Sequence, residues 1–152
     1  MSDSPPQAGG TSTSGPGLAS SSNVGASDDD RVAAAQSYID ALVSHNGDAV
    51  PFAPDCIRIE QGIKTGFSGN HLRRSLNRGP QYRIIGATTK PEYTIVGDEV
   101  RAVYNVLTKA SFGGRQVAAR VDETFVIPTE NPAGTATIQH IRVRFHPFVQ
   151  RT

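Results

Sequence analysis

The most regular alternation of apolar and polar positions lies between Glu99 and Pro147 and reads as three β-strands. In the first, Glu99–Ala110, the positions Val100, Ala102, Tyr104 and Val106 alternate with Arg101, Val103, Asn105 and Leu107. In the second, Val117–Pro128, one face holds Val121, Glu123, Phe125 and Ile127 and the other Arg120, Asp122, Thr124 and Val126. The third, Thr135–His146, sets Ile141, Val143 and Phe145 against His140, Arg142, Arg144 and His146. The breaks Ser111-Phe112-Gly113-Gly114-Arg115 and Asn131-Pro132-Ala133-Gly134 are short and rich in turn formers. Reversals this tight predict an antiparallel meander rather than crossovers. Its apolar face then needs a cover.

The cover is predicted upstream. From Arg31 to about Asn46 the apolar set Val32, Ala35, Ile39, Leu42 and Val43 follows the helical period, with Tyr38 at the edge of that arc. Ser27 and Asp30 form an acidic variant of a capping box, and the Asn46-Gly47 pair is the expected stop. Cys56–Gln61 alternates as a strand, placing Cys56, Arg58 and Glu60 on one face; Gly62 and Gly66 bracket a second short extended piece. Ser68 is suited to cap a helix over Gly69–Asn77, closed by Gly79-Pro80. Gln81–Ala87 and Tyr93–Val96 read as further strands, and no internal repeat is visible.

Composition narrows the picture to one domain. Residues 1–26 are mostly Ser, Gly, Thr, Ala and Pro, and are expected to form a disordered tail without a secretory signature; residues 27–152 form the folded unit. No run is long enough to span a membrane. Four acids and no bases precede Arg31, which leaves 15 bases against 10 acids afterwards and a mild preference for anionic partners. Those bases are scattered and lack an aromatic ladder, so nucleic acid is not an expected partner. The lone Cys56 excludes an internal disulfide and fits a reducing, cytoplasmic setting. The four histidines form no zinc spacing, and Gly113-Gly114 lacks the context of a phosphate loop, so neither metal nor cofactor is expected.

The order helix, short helix, short hairpin, helix, then about four antiparallel strands resembles the nuclear transport factor 2-like superfamily. Within it, the stretch Ser37-Tyr38-Ile39-Asp40-Ala41 resembles part of the first helix of the steroid Δ5-isomerases, and Pro54-Asp55-Cys56-Ile57-Arg58-Ile59-Glu60 resembles their first strand with its general base. Ala119-Arg120-Val121-Asp122-Glu123-Thr124-Phe125 resembles a later strand. The resemblance implies an α+β fold, a cone-shaped curved antiparallel or mixed sheet covered by N-terminal helices, also described as a cystatin-like roll. It implies Glu60 as a base whose pKa is raised by an apolar cone, and Tyr38 as a hydrogen-bond donor. Pairing of Glu60 with Arg58, and a core tyrosine, are the plainer readings of those two positions.

The second oxyanion donor of the isomerases falls by this comparison on Ala119, which cannot donate; Asp122 lies on the opposite strand face. Asp122 and His140, with Arg142, form a second constellation that either orients a base or lines a solvated face or dimer interface. Tyr104 and Arg58 are expected to line or orient the pocket. The function so implied is a cofactor-independent isomerase, dehydratase or cyclase acting on a small apolar or weakly anionic molecule; the alternative is a non-catalytic ligand-binding or dimeric assembly domain. The expected partners are that molecule and a second copy of the chain, with no nucleic acid and no membrane.

Overall fold

A computed structural model describes residues 25–131 and 134–152. The expected tail falls outside these residues apart from Gly25 and Ala26, which are tied to the domain: Gly25 bridges Glu130 and the Ala26 N–H donates to Thr129 O at 2.8 Å. Pro132 and Ala133 of the second expected turn also lie outside them.

Helix α1 runs Asp28–Ser44. Ser27 caps it as its hydroxyl accepts from Asp30 N–H, and three aspartates in the first turn meet the positive end of the helix dipole. The stop differs from the expected one: His45 takes the left-handed conformation with φ 60°, and its N–H closes onto Ala41 O. Gly47 has another task. A Cβ there would lie 2.7 Å from the Arg73 carbonyl oxygen, so only glycine lets the turn after α1 lie against the second helix. Gly47→Ala is therefore expected to cost about 1–3 kcal/mol in chemical denaturation, and an unchanged midpoint would refute this close packing.

The remaining elements follow in order: β1 Phe52–Glu60, β2 Ile63–Gly66, α2 Gly69–Arg78, α3 Pro80–Arg83, β3 Ile85–Thr88, β4 Glu92–Val96, β5 Glu99–Phe112, β6 Arg115–Val126 and β7 Ile138–Arg151. The strand expected from Gln81 begins instead with the short helix α3, because Gly79 followed by Pro80 at the first helical position favours a helix start. The third long run extends five residues beyond His146, through Pro147. Proline is tolerated there because β1 ends opposite Val143 and the Gln61 side chain takes up Phe145, so that beyond it this flank of β7 has no partner strand among the described residues.

All seven strands form one mixed sheet in the order β2-β1-β7-β6-β5-β3, with β4 pairing β5 further along. Every pairing is antiparallel except β1 with β7. The core fills the space between the inner sheet face and the helices. Ala35, Ile39 and Leu42 of α1 and Leu72 and Leu76 of α2 join one core with Val100, Phe125 and Ile141 of the sheet and Ile127 just past the end of β6, all at 5 % exposure or less. Tyr38 sits edge-on to Phe125 with ring centres 5.5 Å apart. Arg31 is buried at the end of α1, where its guanidinium donates to Ile127 O and Gly97 O at 2.7 Å each.

Candidate active site

The register of the inner sheet face sets the site. Glu60 on β1 lies opposite Val143 on β7, Val143 lies opposite Glu123 on β6, and Glu123 lies opposite Ala102 on β5. The two glutamates thus flank one valine in a single cross-strand row, about 10 Å apart at the backbone. The adjacent row is Arg58, Ile141, Phe125 and Val100. Between sheet and helices is a cavity of ≈ 370 Å³ with mostly apolar walls, among them Leu42, Val106, Val121, Val143 and Phe145. That volume is at the lower end for a small-molecule site. Its polar lining includes Tyr38, Glu60, Tyr82, Tyr104 and Glu123.

Each polar group has a defined partner or a conspicuous lack of one. The Tyr104 hydroxyl donates to Glu123 Oε1 at 2.6 Å, both residues being buried. Burial pushes the Glu123 carboxyl up to about 8; the Tyr104 bond and the Arg58 charge oppose that rise, and Glu60 adds to it. The rise favours the protonated form of the carboxyl, whose Oε1 accepts from Tyr104. Arg58 is fully buried, with its Nη1 donating to the Tyr38 hydroxyl at 3.2 Å and its Nε to Thr65 Oγ1 at 3.0 Å. The same guanidinium stands 3.8 Å from Glu60, whose side chain keeps 26 % of its surface exposed.

Burial, followed by Tyr82, holds the Tyr38 phenol well above its usual range. The phenol therefore stays protonated. Its oxygen accepts from Arg58, and no described residue accepts its proton, so that proton is available to the cavity. The Tyr82 hydroxyl is also buried without a hydrogen-bond partner among the described residues. Burial pushes it up to about 12 against the pull of Arg58; Ser75 exerts the weakest influence and does not reach hydrogen-bond geometry.

Tyr38, Glu60 and Tyr104 thus line one cavity, and Arg58 braces it from behind. Asp122, His140 and Arg142 do not join them. They occupy the outer face of the sheet, where Asp122 is held by a two-pronged contact from Arg101 at 2.8 and 2.5 Å, and Arg142 pairs with Glu99 at 3.2 Å. The Arg101 bond is the main cause holding the Asp122 carboxyl below its usual range. His140 is held low by burial and by Arg142, with Nδ1 unpartnered among the described residues. Period-two alternation dictates the correction: Asp122 is adjacent in sequence to Glu123 and must face the other way. The residue that sequence reasoning missed is Glu123. Its signal was a carboxylate within an otherwise apolar face, the same face as Ala119, four positions further along the strand.

Cys56 is fully buried, and burial pushes its thiol up to about 12, so it offers no nucleophile at neutral pH. Among the described residues no group of three or more His, Cys, Asp or Glu side chains is placed to hold a metal ion. No described helix is long and apolar enough to cross a membrane.

Residues 25–144 match the profile of a family described as Domain of unknown function (DUF8021). No curated protein matches the sequence. Solved structures share the fold at low identity. An epoxide hydrolase from M. tuberculosis, described as LEH-like, is 19% identical with a TM-score of 0.58, covering 78% of this chain and 84% of its own. A ketosteroid isomerase-like protein from Erwinia carotovora atroseptica is 17% identical with a TM-score of 0.55, covering 76% and 92%. An NTF-2 like protein of unknown function from Burkholderia xenovorans is 15% identical with a TM-score of 0.55, covering 78% and 84%. The fold is that of the nuclear transport factor 2-like proteins.

Proposed function

Since the chain belongs to the DUF8021 family and has a nuclear transport factor 2-like fold, we propose that it catalyses proton transfer on a small, largely apolar molecule without a cofactor. The observation that carries this reading is the cross-strand row in which Glu60 and Glu123 flank Val143 and line one apolar cavity. Their surroundings differ. Glu123 is sealed from water and keeps its proton, whereas Glu60 stands beside a guanidinium and is partly open to solvent. Two carboxyls with such different environments suit the acid and base roles of one reaction.

Glu60 is the base. It removes a proton from a carbon next to a carbonyl, and the electron pair moves onto the carbonyl oxygen. The Tyr38 hydroxyl and the neutral Glu123 carboxyl are the two donors for that oxygen, in a setting where apolar walls strengthen each bond. Return of the proton from Glu60 to a different carbon completes an isomerisation; transfer of that proton to a β-hydroxyl, which then leaves the same enolate as water, completes a dehydration. Glu123 takes the part for which Ala119 has no donor.

The test is solvent-deuterium incorporation into a panel of apolar cyclic ketones and enones, followed by proton NMR. Glu60→Gln is expected to lower the exchange rate by about 10²–10⁴-fold, and Tyr38→Phe and Glu123→Leu to lower it too while the fold persists. Ketones that bind and exchange no faster than in buffer would leave a binding protein and end the catalytic reading.

A further inference from the structure

The inner sheet face does not end where the cavity does. The mouth lies at Gln81, Ile84 and Pro147, the exposed members of its lining. Beyond it β5, β6 and β7 run on with no helix of the described residues above them. Val149 lies opposite Val117, two positions past Pro147 on the same face, and Phe112 lies opposite Arg115, two positions past Val117. These apolar side chains are open to solvent, Phe112 at 76% and Val149 at 59%, with Ile84 at 53% beside the mouth. The result is an apolar shelf continuous with the cavity wall.

The far end of the shelf is basic. Arg115 and Arg151 face each other directly across β6 and β7, and neither makes an ion pair with a described residue. Like charges in facing positions repel, so the pair is destabilising until an anion bridges it. Residues 80–91, 106–121 and 144–152, which build mouth and shelf, contain seven Lys or Arg and no Asp or Glu; Arg115 and Arg151 lie on the shelf face, whereas Arg120 and Arg144 point to the other side of the sheet. A second copy of the chain bearing the same charges is a poor occupant for such a surface.

We propose that cavity and shelf together bind a long-chain carboxylate, the end remote from the carboxylate against Glu123 and the anionic end between Arg115 and Arg151. This deepens the reading above by naming the substrate class, and it rests on the same cavity being the ligand site. The span requires an elongated molecule: β6 runs roughly 26 Å from Glu123 to Arg115, and with the long arginine side chains reaching about 6 Å back along it, roughly 20 Å is left for the ligand, the length of an extended sixteen-carbon chain. A compact ketone fills the cavity alone and leaves both the shelf and the arginine pair unused. In the substrate the reactive carbonyl then lies towards the end of the chain remote from the carboxylate.

Calorimetric titration of the full-length protein with palmitate, hexadecanol and octanoate separates the parts of the proposal. Palmitate is expected to bind at least ~tenfold more tightly than either of the others, since one lacks the charge and the other the length. Arg115→Gln with Arg151→Gln, both at exposed positions, is expected to remove the advantage over hexadecanol and leave hexadecanol binding unchanged. Val121→Trp, which fills the cavity, is expected to abolish binding of both. Equal affinity of wild type for palmitate and hexadecanol, palmitate binding unaffected by the double substitution, or binding retained by Val121→Trp would each overturn it. Palmitate binding by the wild-type protein beside a failed exchange experiment would count against the chemistry alone.

Discussion

In Glu123→Gln, the stability that the wild-type protein loses between about pH 5 and pH 8 is expected to be retained. The sign follows from proton counting. Glu123 holds its proton in the folded protein up to about 8, whereas a free glutamate releases it near 4.5. Between these values the folded state binds more protons than the unfolded state, so stability falls as pH rises. The full advantage of the neutral buried carboxyl is present below about 4.5 and is gone above about 8. Its size is on the order of 4 kcal/mol. Glutamine keeps an oxygen for the Tyr104 hydroxyl and does not ionise. Urea denaturation at several pH values checks this: the two proteins should match near pH 4 and diverge upward, with the variant several kcal/mol more stable at pH 9. Parallel curves across that range would show that Glu123 ionises as an ordinary surface glutamate does.

Arg58→Met is expected to destabilise the protein by about 3–5 kcal/mol. Methionine fills much of the volume but supplies no donors. Tyr38 Oη, Thr65 Oγ1 and Thr65 O each lose a donor, the first inside the core. Glu60 loses the guanidinium 3.8 Å away, and Glu123 loses the positive charge that opposes its rise. The midpoint of the Glu123 titration should therefore move above about 8 in this variant. Combining Arg58→Met with Glu123→Gln should cost less at pH 9 than the sum of the two single effects, because the second change removes a charge that the first leaves uncompensated. A loss below about 1 kcal/mol for Arg58→Met would mean that water takes over the bonds of the guanidinium, and that the site is wetter than its burial indicates.

The two ends of the cavity differ in make-up. The inner end sets Glu60, Tyr104 and Glu123 in fixed rows of the sheet, where backbone pairing fixes their spacing more rigidly than loops would. The outer end is an uncovered continuation of the same strands, with the apolar and basic groups that the palmitate experiment addresses. Both derive from the length of β5 to β7. Strands of 12 to 14 residues outrun α1 and α2, which cover only part of their inner face.

By itself the sequence determined the elements that follow local rules. Period-two alternation from Glu99 to Phe145 specifies strands and assigns each side chain to a face; Ser27 and Ser68 specify where two helices begin; the apolar stripe from Val32 to Leu42 specifies the side of α1 that is buried. Those rules placed Arg58 and Glu60 on one face and set Asp122 apart from Ala119. Other features needed the fold. Which strands become neighbours is a long-range matter, and only the parallel pairing of β1 with β7 puts Glu60 and Glu123 in one row around Val143. The rise of the Glu123 carboxyl needs burial, which depends on α1 roofing a strand more than 80 residues away in the chain. Asp122 and Glu123 are both acids in one strand, and alternation separates them without saying which face is covered. A charge costs little in water and much in a sealed apolar cavity, so tertiary structure alone made one of these two neighbours a surface ion pair and the other a neutral acid.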